Sequence, residues 1–223
     1  MKDSIRAVAF DIDGTLYPNW QLYFRIIPYT LKRLRFFLTY NSVRKILHRT
    51  APLADFYEYQ ARLLALKMHT SPESAKTMIE KNVYCGLAPY FKRIKPFAHM
   101  KETIEKFRRA GYKLAVLSDF PPAQKGSIWG TLDMFDVVCG SEELGALKPS
   151  KYTFGVLASK LGVAENEILY VGNSVSADVR GASAAGMKTA YLMPLWRIIL
   201  NKPLQDADIS FKSYRHLQKI VLQ

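Results

Sequence analysis

Cysteine is nearly missing, with two residues in 223, Cys85 and Cys139. They lie far apart and have no metal-type spacing. That excludes a disulfide framework and predicts two small buried thiols of a reducing compartment. Histidine is scarce as well, and His48, His69 and His99 have no partner spacing, so they are expected to be structural or exposed. No apolar run reaches the roughly 18 residues that a membrane span needs. The opening "MKDSIRAVAF" enters an apolar stretch with an acid already inside it, which excludes a signal peptide and predicts a cytoplasmic location. Neither an internal repeat nor a low-complexity tract is present.

Acidic residues are depleted in one segment. Between Tyr17 and Lys95 there are 14 Lys and Arg against 4 Asp and Glu, whereas the rest of the chain holds 18 against 15. Most of the net charge of +13 therefore belongs to that segment, which predicts two parts with different surfaces. An apolar share of 49% with 13% aromatics excludes a disordered chain, and the length fits one large domain or a core with an insert.

The periodicity agrees with this division. Ile5 to Phe10 is a short apolar run, a buried strand. From Tyr17 to about Lys95 the pattern is helical: Leu31, Leu34 and Leu38 form one stripe, with Pro28 placed to start the helix. Leu53, Phe56, Tyr57, Gln60, Leu64 and Met68 form another, and "TSPES" opens a further helix with Ser71 as its cap. From Pro96 onward, helices and strands alternate. Helices are expected over Met100–Ala110, around Gln124–Gly130, over Tyr152–Leu161 and over Ala177–Ala185. Strands are expected in "YKLAVLSD", "FDVVCGSE", "ILYVGNS" and "KTAYLM". Such alternation predicts an α/β fold, a Rossmann-like parallel sheet with helices on both faces. Residues 1–16 and 96–223 would form this core, and 17–95 an inserted helical cap.

In a sheet of this kind, ligands bind outside the carboxyl ends of the strands. The first strand ends in "FDIDGTLYP", with Asp11 and Asp13 almost side by side. Two like charges so close raise each other's pKa unless a cation lies between them. Alone, the stretch also fits a strand followed by an ordinary acidic turn. The second strand, however, ends at Ser118 and Asp119, and the loop after the third carries Lys148 in "GALKPSKYTF". The fourth leads into "VGNSVSADVRGA", with Asn173, Ser174 and Asp178.

In order and spacing, "DIDGT", "LSD", "LKPSKYTF" and "VGNSVSADVRGA" resemble the four motifs of the haloacid dehalogenase-like superfamily of phosphotransferases. The resemblance runs from the first strand to Met193 and is vague through the helical segment. It implies that Asp11 attacks phosphorus to form an aspartyl phosphate, and that Asp13 serves as acid and then base. Ser118, Asp119 and Lys148 would bind the substrate, and Lys148 would also help keep Asp11 ionised. Mg²⁺ would be held by Asp11, the main-chain carbonyl of Asp13 and Asp178, with Asn173 secondary. Many relatives have Asp where this chain has Asn173, which puts the strength of metal binding in doubt. Dehalogenases of the superfamily replace the second acid, so Asp13 argues against carbon–halogen cleavage.

The expected activity is thus a Mg²⁺-dependent phosphatase acting on a small phosphate ester. A phosphomutase sharing the first half-reaction, or a non-catalytic basic binding protein, are the alternatives. In the superfamily, the helical insert closes over the site. Its basic stretch "LKRLRFFLTYNSVRKILHR" fits a solvated helix face, a lining for an anionic substrate, or contact with nucleic acid or an anionic membrane, the last two partners not favoured.

Overall fold

In the computed structural model, which describes residues 4–223, the first strand is β1 (Ala7–Phe10). Helices α1 (Asn19–Leu31), α2 (Leu34–Leu47), α3 (Phe56–Met68), α4 (Pro72–Ile79) and α5 (Cys85–Phe91) follow it. The chain then alternates through α6 (Met100–Arg109), β2 (Lys113–Ser118), β3 (Val137–Gly140), α7 (Lys151–Leu161), β4 (Ile168–Gly172), α8 (Gly181–Ala184) and β5 (Lys188–Leu192). The short helix α9 (Leu195–Ile199), β6 (Ile209–Phe211) and α10 (Tyr214–Leu222) complete it. All strands are parallel, in the order β3-β2-β1-β4-β5-β6.

β1 is central because its four residues are all buried and serve both faces. Val8 and Phe10 pack with Ile104 and Phe107 of α6 and Leu217 of α10. Ala7 and Ala9 face the other way, toward Phe154, Leu157 and Leu161 of α7. Full burial of a side chain such as Phe10 contributes roughly 1.5–3 kcal/mol, so the two faces fix the register firmly. The chain winds outward in opposite directions from β1 and β4, which makes their carboxyl ends the switch point where a crevice opens. α2, α3 and α4 have a core of their own, built on Phe36, Tyr40, Leu47, Phe56 and Leu64.

Most core elements match the sequence pattern, and Ser71 caps α4 by accepting from the Ser74 N–H. Four expectations do not hold. Leu31, Leu34 and Leu38 face solvent, while Phe36, Tyr40, Val43 and Leu47 are the buried face of α2. Pro28 does not start a helix but lies inside α1, where its missing N–H leaves the Phe24 carbonyl without a helical partner on an exposed face. No helix covers Gln124–Gly130. A single 3₁₀ turn, Pro122–Lys125, gives way to left-handed backbone at Gly126 and Gly130, and Trp129 Nε1 ties the loop to the Ile94 carbonyl at 2.8 Å. Cys85 is exposed, on a helix surface where it donates to Glu80, and only Cys139 is buried; both thiols are free. Beyond Met193 the sequence pattern gave no element, yet α9, β6 and α10 close the sheet and its face.

Candidate active site

The strand ends converge as the topology requires. Asp11 follows β1, and its N–H bonds to the Val171 carbonyl of β4, so the first carboxylate is pinned at the switch point. Gly14 then turns the chain at φ +90°, where a β-carbon would lie 2.4 Å from both Asn173 Nδ2 and Asn19 Nδ2. Glycine is needed there for its backbone and for the space. Behind the turn, Tyr214 of α10 donates to the Thr15 carbonyl at 2.7 Å, anchoring the loop from the far side of the core.

Lys148 is the hub. Its fully enclosed ammonium donates to Asp11 Oδ1 and Asp178 Oδ1, both at 2.7 Å, and to the Tyr170 hydroxyl at 3.3 Å. Asp178 Oδ2 accepts from the N–H groups of Asn173 and Ser174 at 3.1 and 2.9 Å. That approach is possible because residue 172 is glycine, since a β-carbon there would come within 2.3 Å of Asp178. The Thr15 hydroxyl lies within donating distance of Asp11 Oδ2 (2.9 Å) and Asn173 Oδ1 (3.2 Å).

Asp13 has a separate environment. Tyr17 donates to its Oδ1 at 2.6 Å and Ser118 to its Oδ2 at 3.1 Å, while the Lys125 ammonium sits 3.1 Å from Oδ2 without hydrogen-bond alignment. The two acids are thus driven apart. Burial pushes Asp11 up to about 7, because Lys148 opposes it only in part and Asp178 and Asp13 add to it. Burial acts to raise Asp13 too, but Lys125, Tyr17 and Ser118 outweigh it and hold the carboxyl below its ordinary value. The two carboxyls differ in proton affinity because their neighbours differ, and Asp13 is the one held ionised, the form a general base needs.

These groups border a cavity of about 370 Å³ lined by Asp11, Asp13, Asp119, Lys148, Asn173 and Asp178, with His48 and Phe120 on its rim. A larger cavity, about 590 Å³, lies between α3 to α5 and the loop after β2, and holds none of the strand-end groups. Size alone does not mark the site; the convergence of charge does. All the sequence-predicted residues therefore meet in one place. Two of them carry structural duties as well: Asp119 Oδ1 accepts from the Lys148 N–H at 3.0 Å, and Asp178 secures the lysine.

Sequence reasoning missed three residues. His48, expected to be structural or exposed, is a rim residue of the site, and its Nδ1 lies 2.7 Å from the Lys148 carbonyl. A carbonyl only accepts, so Nδ1 carries a proton. Tyr17 reaches Asp13 from four residues further along the same turn, and Lys125 from the end of the 3₁₀ turn after β2, a segment with no motif of its own. A lysine in a loop predicted as helix gave no signal.

The donor set has the chemistry of a hard divalent cation site. Asp11, the Asp13 carbonyl, Asn173 Oδ1 and Asp178 offer only oxygen. Four carboxyl groups, Asp11, Asp13, Asp119 and Asp178, face two ammoniums, Lys125 and Lys148, so acids outnumber cations at the site. Among the described residues no three acidic, histidine or cysteine side chains alone form a metal cluster. A main-chain carbonyl and an amide oxygen would have to complete the set.

Comparison with known proteins agrees with this geometry. The model of the haloacid dehalogenase-like hydrolases matches residues 5–186. A glyceraldehyde 3-phosphate phosphatase of Methanopyrus kandleri is 30% identical over 198 residues, covering 83% of this chain and 82% of its own. A ribulose-1,5-bisphosphate 5-phosphatase of Halopiger xanaduensis is 28% identical over 206 residues, covering 84% of each. The crystal structure of L-2-haloacid dehalogenase from Xanthobacter autotrophicus superposes with a TM-score of 0.65 at 19% identity, over 98% of both chains, and shares the fold. With its sheet order, its four strand-end motifs and a family match over most of its length, the chain belongs to the haloacid dehalogenase-like hydrolases.

Proposed function

We propose that this hydrolase is a phosphatase that removes the phosphoryl group from a small phosphorylated metabolite through an aspartyl phosphate on Asp11. The observation that carries it is the pair Asp11 and Asp13, two residues apart and held by different partners. Asp11 is buried against Lys148 and Thr15, while Asp13 reaches Ser118 and Tyr17 and is about a quarter exposed at its side chain (27%). The relatives named phosphatases support the same chemistry.

Asp11 attacks phosphorus, and the bond to the leaving oxygen breaks. Asp13 gives that oxygen a proton and then, as a carboxylate, takes one from the water that attacks the acyl phosphate. The Ser118 hydroxyl turns from Asp13 to a phosphoryl oxygen. Lys148, enclosed between two carboxylates, offsets charge on the transferring group. Asp119 would repel the phosphoryl group, so it serves the substrate's hydroxyls. Asp11, the Asp13 carbonyl and Asp178, with Asn173 alongside, would hold Mg²⁺, which neutralises the phosphoryl oxygens when bound.

A retained second acid argues against dehalogenation, and an assembled set of charged groups argues against a merely binding role. The test is phosphate release from a panel of phosphorylated sugars, nucleotides and short acids, with and without Mg²⁺. Release from at least one monoester, dependent on Mg²⁺, is expected. Transfer of the phosphoryl group to a second substrate hydroxyl instead of water would mark a phosphomutase. No turnover of any member would count against catalysis.

A further inference from the structure

The stripe that holds Leu31, Leu34 and Leu38 extends back along α1 as a continuous exposed apolar face. On α1, Trp20, Tyr23, Phe24, Ile27 and Leu31 fall at i, i+3, i+4, i+7 and i+11, one stripe of a helix. On α2, Leu34 and Leu38 carry the exposed apolar surface further. These seven side chains are between 47% and 73% exposed, whereas Leu22, on another side of α1, is buried in the main core. A row of large apolar residues facing water is not ordinary scatter.

A second patch adjoins it. Leu195, Trp196, Ile199 and Leu200, on and just after α9, are 53–71% exposed. Trp20 at the start of α1 and Leu195 and Ile198 of α9 line one cleft of about 490 Å³, so the two patches meet there.

The charge around these patches has one sign. From Asn19 to Leu47 the chain has no Asp or Glu, and it carries Arg25, Lys32 and Arg35 beside the stripe, while Arg33 turns to the Asn82 side chain and the Tyr29 ring. Arg197 and Lys202 flank the second patch. Among the described residues none of these six cations forms an ion pair.

We propose that this face docks on an anionic lipid bilayer, with α1 lying in the interface plane and the chain held peripherally. The stripe would enter the boundary between headgroups and acyl chains. Trp20, Tyr23 and Trp196 are of the residue types that favour that depth, and the cations would meet anionic headgroups. Charge complementarity decides among occupants. A second copy would bring these same unpaired cations against one another, with no carboxylate of the stripe's own helices to meet them. A nucleic acid would meet the cations but leave Ile27, Leu31, Leu34 and Leu38 in water, since aliphatic side chains offer bases no stacking surface. A lipid surface satisfies both halves of the pattern. No helix among the described residues is long and apolar enough to cross a membrane, which fits attachment at the surface.

The experiment is sedimentation of the purified protein with vesicles of phosphatidylcholine alone and with vesicles of equal parts phosphatidylcholine and phosphatidylglycerol, at low and high salt. Binding to the anionic vesicles should exceed binding to the neutral ones by on the order of ten-fold or more, because a few interfacial cations suffice for that. Phe24→Ser with Leu31→Ser should abolish most of the binding and leave the melting temperature unchanged, since both side chains are exposed. Lys32→Ser with Arg35→Ser should abolish the preference for anionic lipid. Absence of binding to anionic vesicles at low salt would overturn the proposal. So would binding that Phe24→Ser with Leu31→Ser does not weaken. A concentration-dependent dimer that the same pair dissolves, without vesicle binding, would assign the face to a second copy instead. None of these outcomes depends on catalytic turnover.

Discussion

Lys125 is the residue whose role least resembles its sequence context. Its ammonium is enclosed, faces the rings of Phe91 and Phe120 at 5.3 and 5.4 Å, and has Asp13 as its only ion-pair partner among the described residues. In the proposed mechanism Asp13 delivers a proton and later takes one; Lys125 holds it ionised, which favours the second task, as base. Lys125→Met should let Asp13 keep its proton to higher pH. The alkaline limb of the kcat profile with an alkyl phosphate would move upward, and Lys125→Arg would restore it. An aryl phosphate, whose leaving group departs without a proton, should be less affected. A limb that stays in place would remove Lys125 from the proton-transfer scheme. Asn173 and Asp178 give a second expectation at this scale. Asp178→Asn should remove most Mg²⁺-dependent rate, and Asn173→Asp should lower the Mg²⁺ concentration for half-maximal rate. Opposite charges a few Å apart at an effective dielectric near 20 attract by roughly 4 kcal/mol, of which desolvation removes much. A Mg²⁺ titration of phosphatase rate in both variants reads this directly, and an unchanged Asp178→Asn curve would show that this loop does not hold the metal. Asp11, Asp13, Ser118, Lys148 and Asp178 were legible in the sequence because each stands at a strand end or in the loop after it. His48 and Lys125 were not, because only tertiary contact brings them to the site; Tyr17 stands four residues after Asp13 in the first motif's own turn, where an apolar-looking residue gave no sign of its hydroxyl's role.

Between elements, the link that matters most for the site joins α2 to the loop after β3. Arg44 of α2 pairs with Glu142 in full burial, lies 4.5 Å over the Phe120 ring, and shares Glu142 with the Tyr84 hydroxyl, which donates at 2.6 Å. One turn further along, His48 meets the Lys148 carbonyl. Removing one partner of a buried pair leaves an uncompensated charge, so Arg44→Met should cost about 3–5 kcal/mol near neutral pH. Burial raises the Glu142 carboxyl, and Arg44 and Tyr84 oppose this without cancelling it. A raised folded value means that this group's contribution to stability is full below the unfolded value of about 4.5 and fades as pH rises through the folded one. Without Arg44 the folded value climbs further, so the deficit of the variant should grow from acid toward neutral pH. Urea melts of both proteins at several pH values measure it, and a deficit independent of pH would contradict the assignment. The core strands were readable from runs of apolar residues buried on both sides. The helices of the insert were harder: periodicity drew one helix from Pro28 through Leu38, whereas the chain breaks between α1 and α2 and turns that stripe to solvent.

At the scale of the molecule, the α/β architecture was legible because four motifs fix four strand ends in order, and a parallel sheet can bring them to one edge in few ways. The closing elements β6 and α10 escaped notice because a three-residue strand has almost no pattern, although Tyr214 braces the site loop from there. The net charge of +13 acts over the whole surface. With an anionic substrate it should raise the association rate, so kcat/KM should fall as ionic strength rises. A kcat/KM independent of salt would show that the excess charge does not serve substrate capture. All of this chemistry runs through the nucleophile. Phosphate release by the wild-type protein and by Asp11→Asn, under saturating Mg²⁺ and with melting temperatures recorded beside it, tests that most directly. An amide cannot form the acyl phosphate, so the variant should stay folded and release phosphate only at background rate. Near-normal release by Asp11→Asn would contradict the assignment of Asp11 and the covalent route with it.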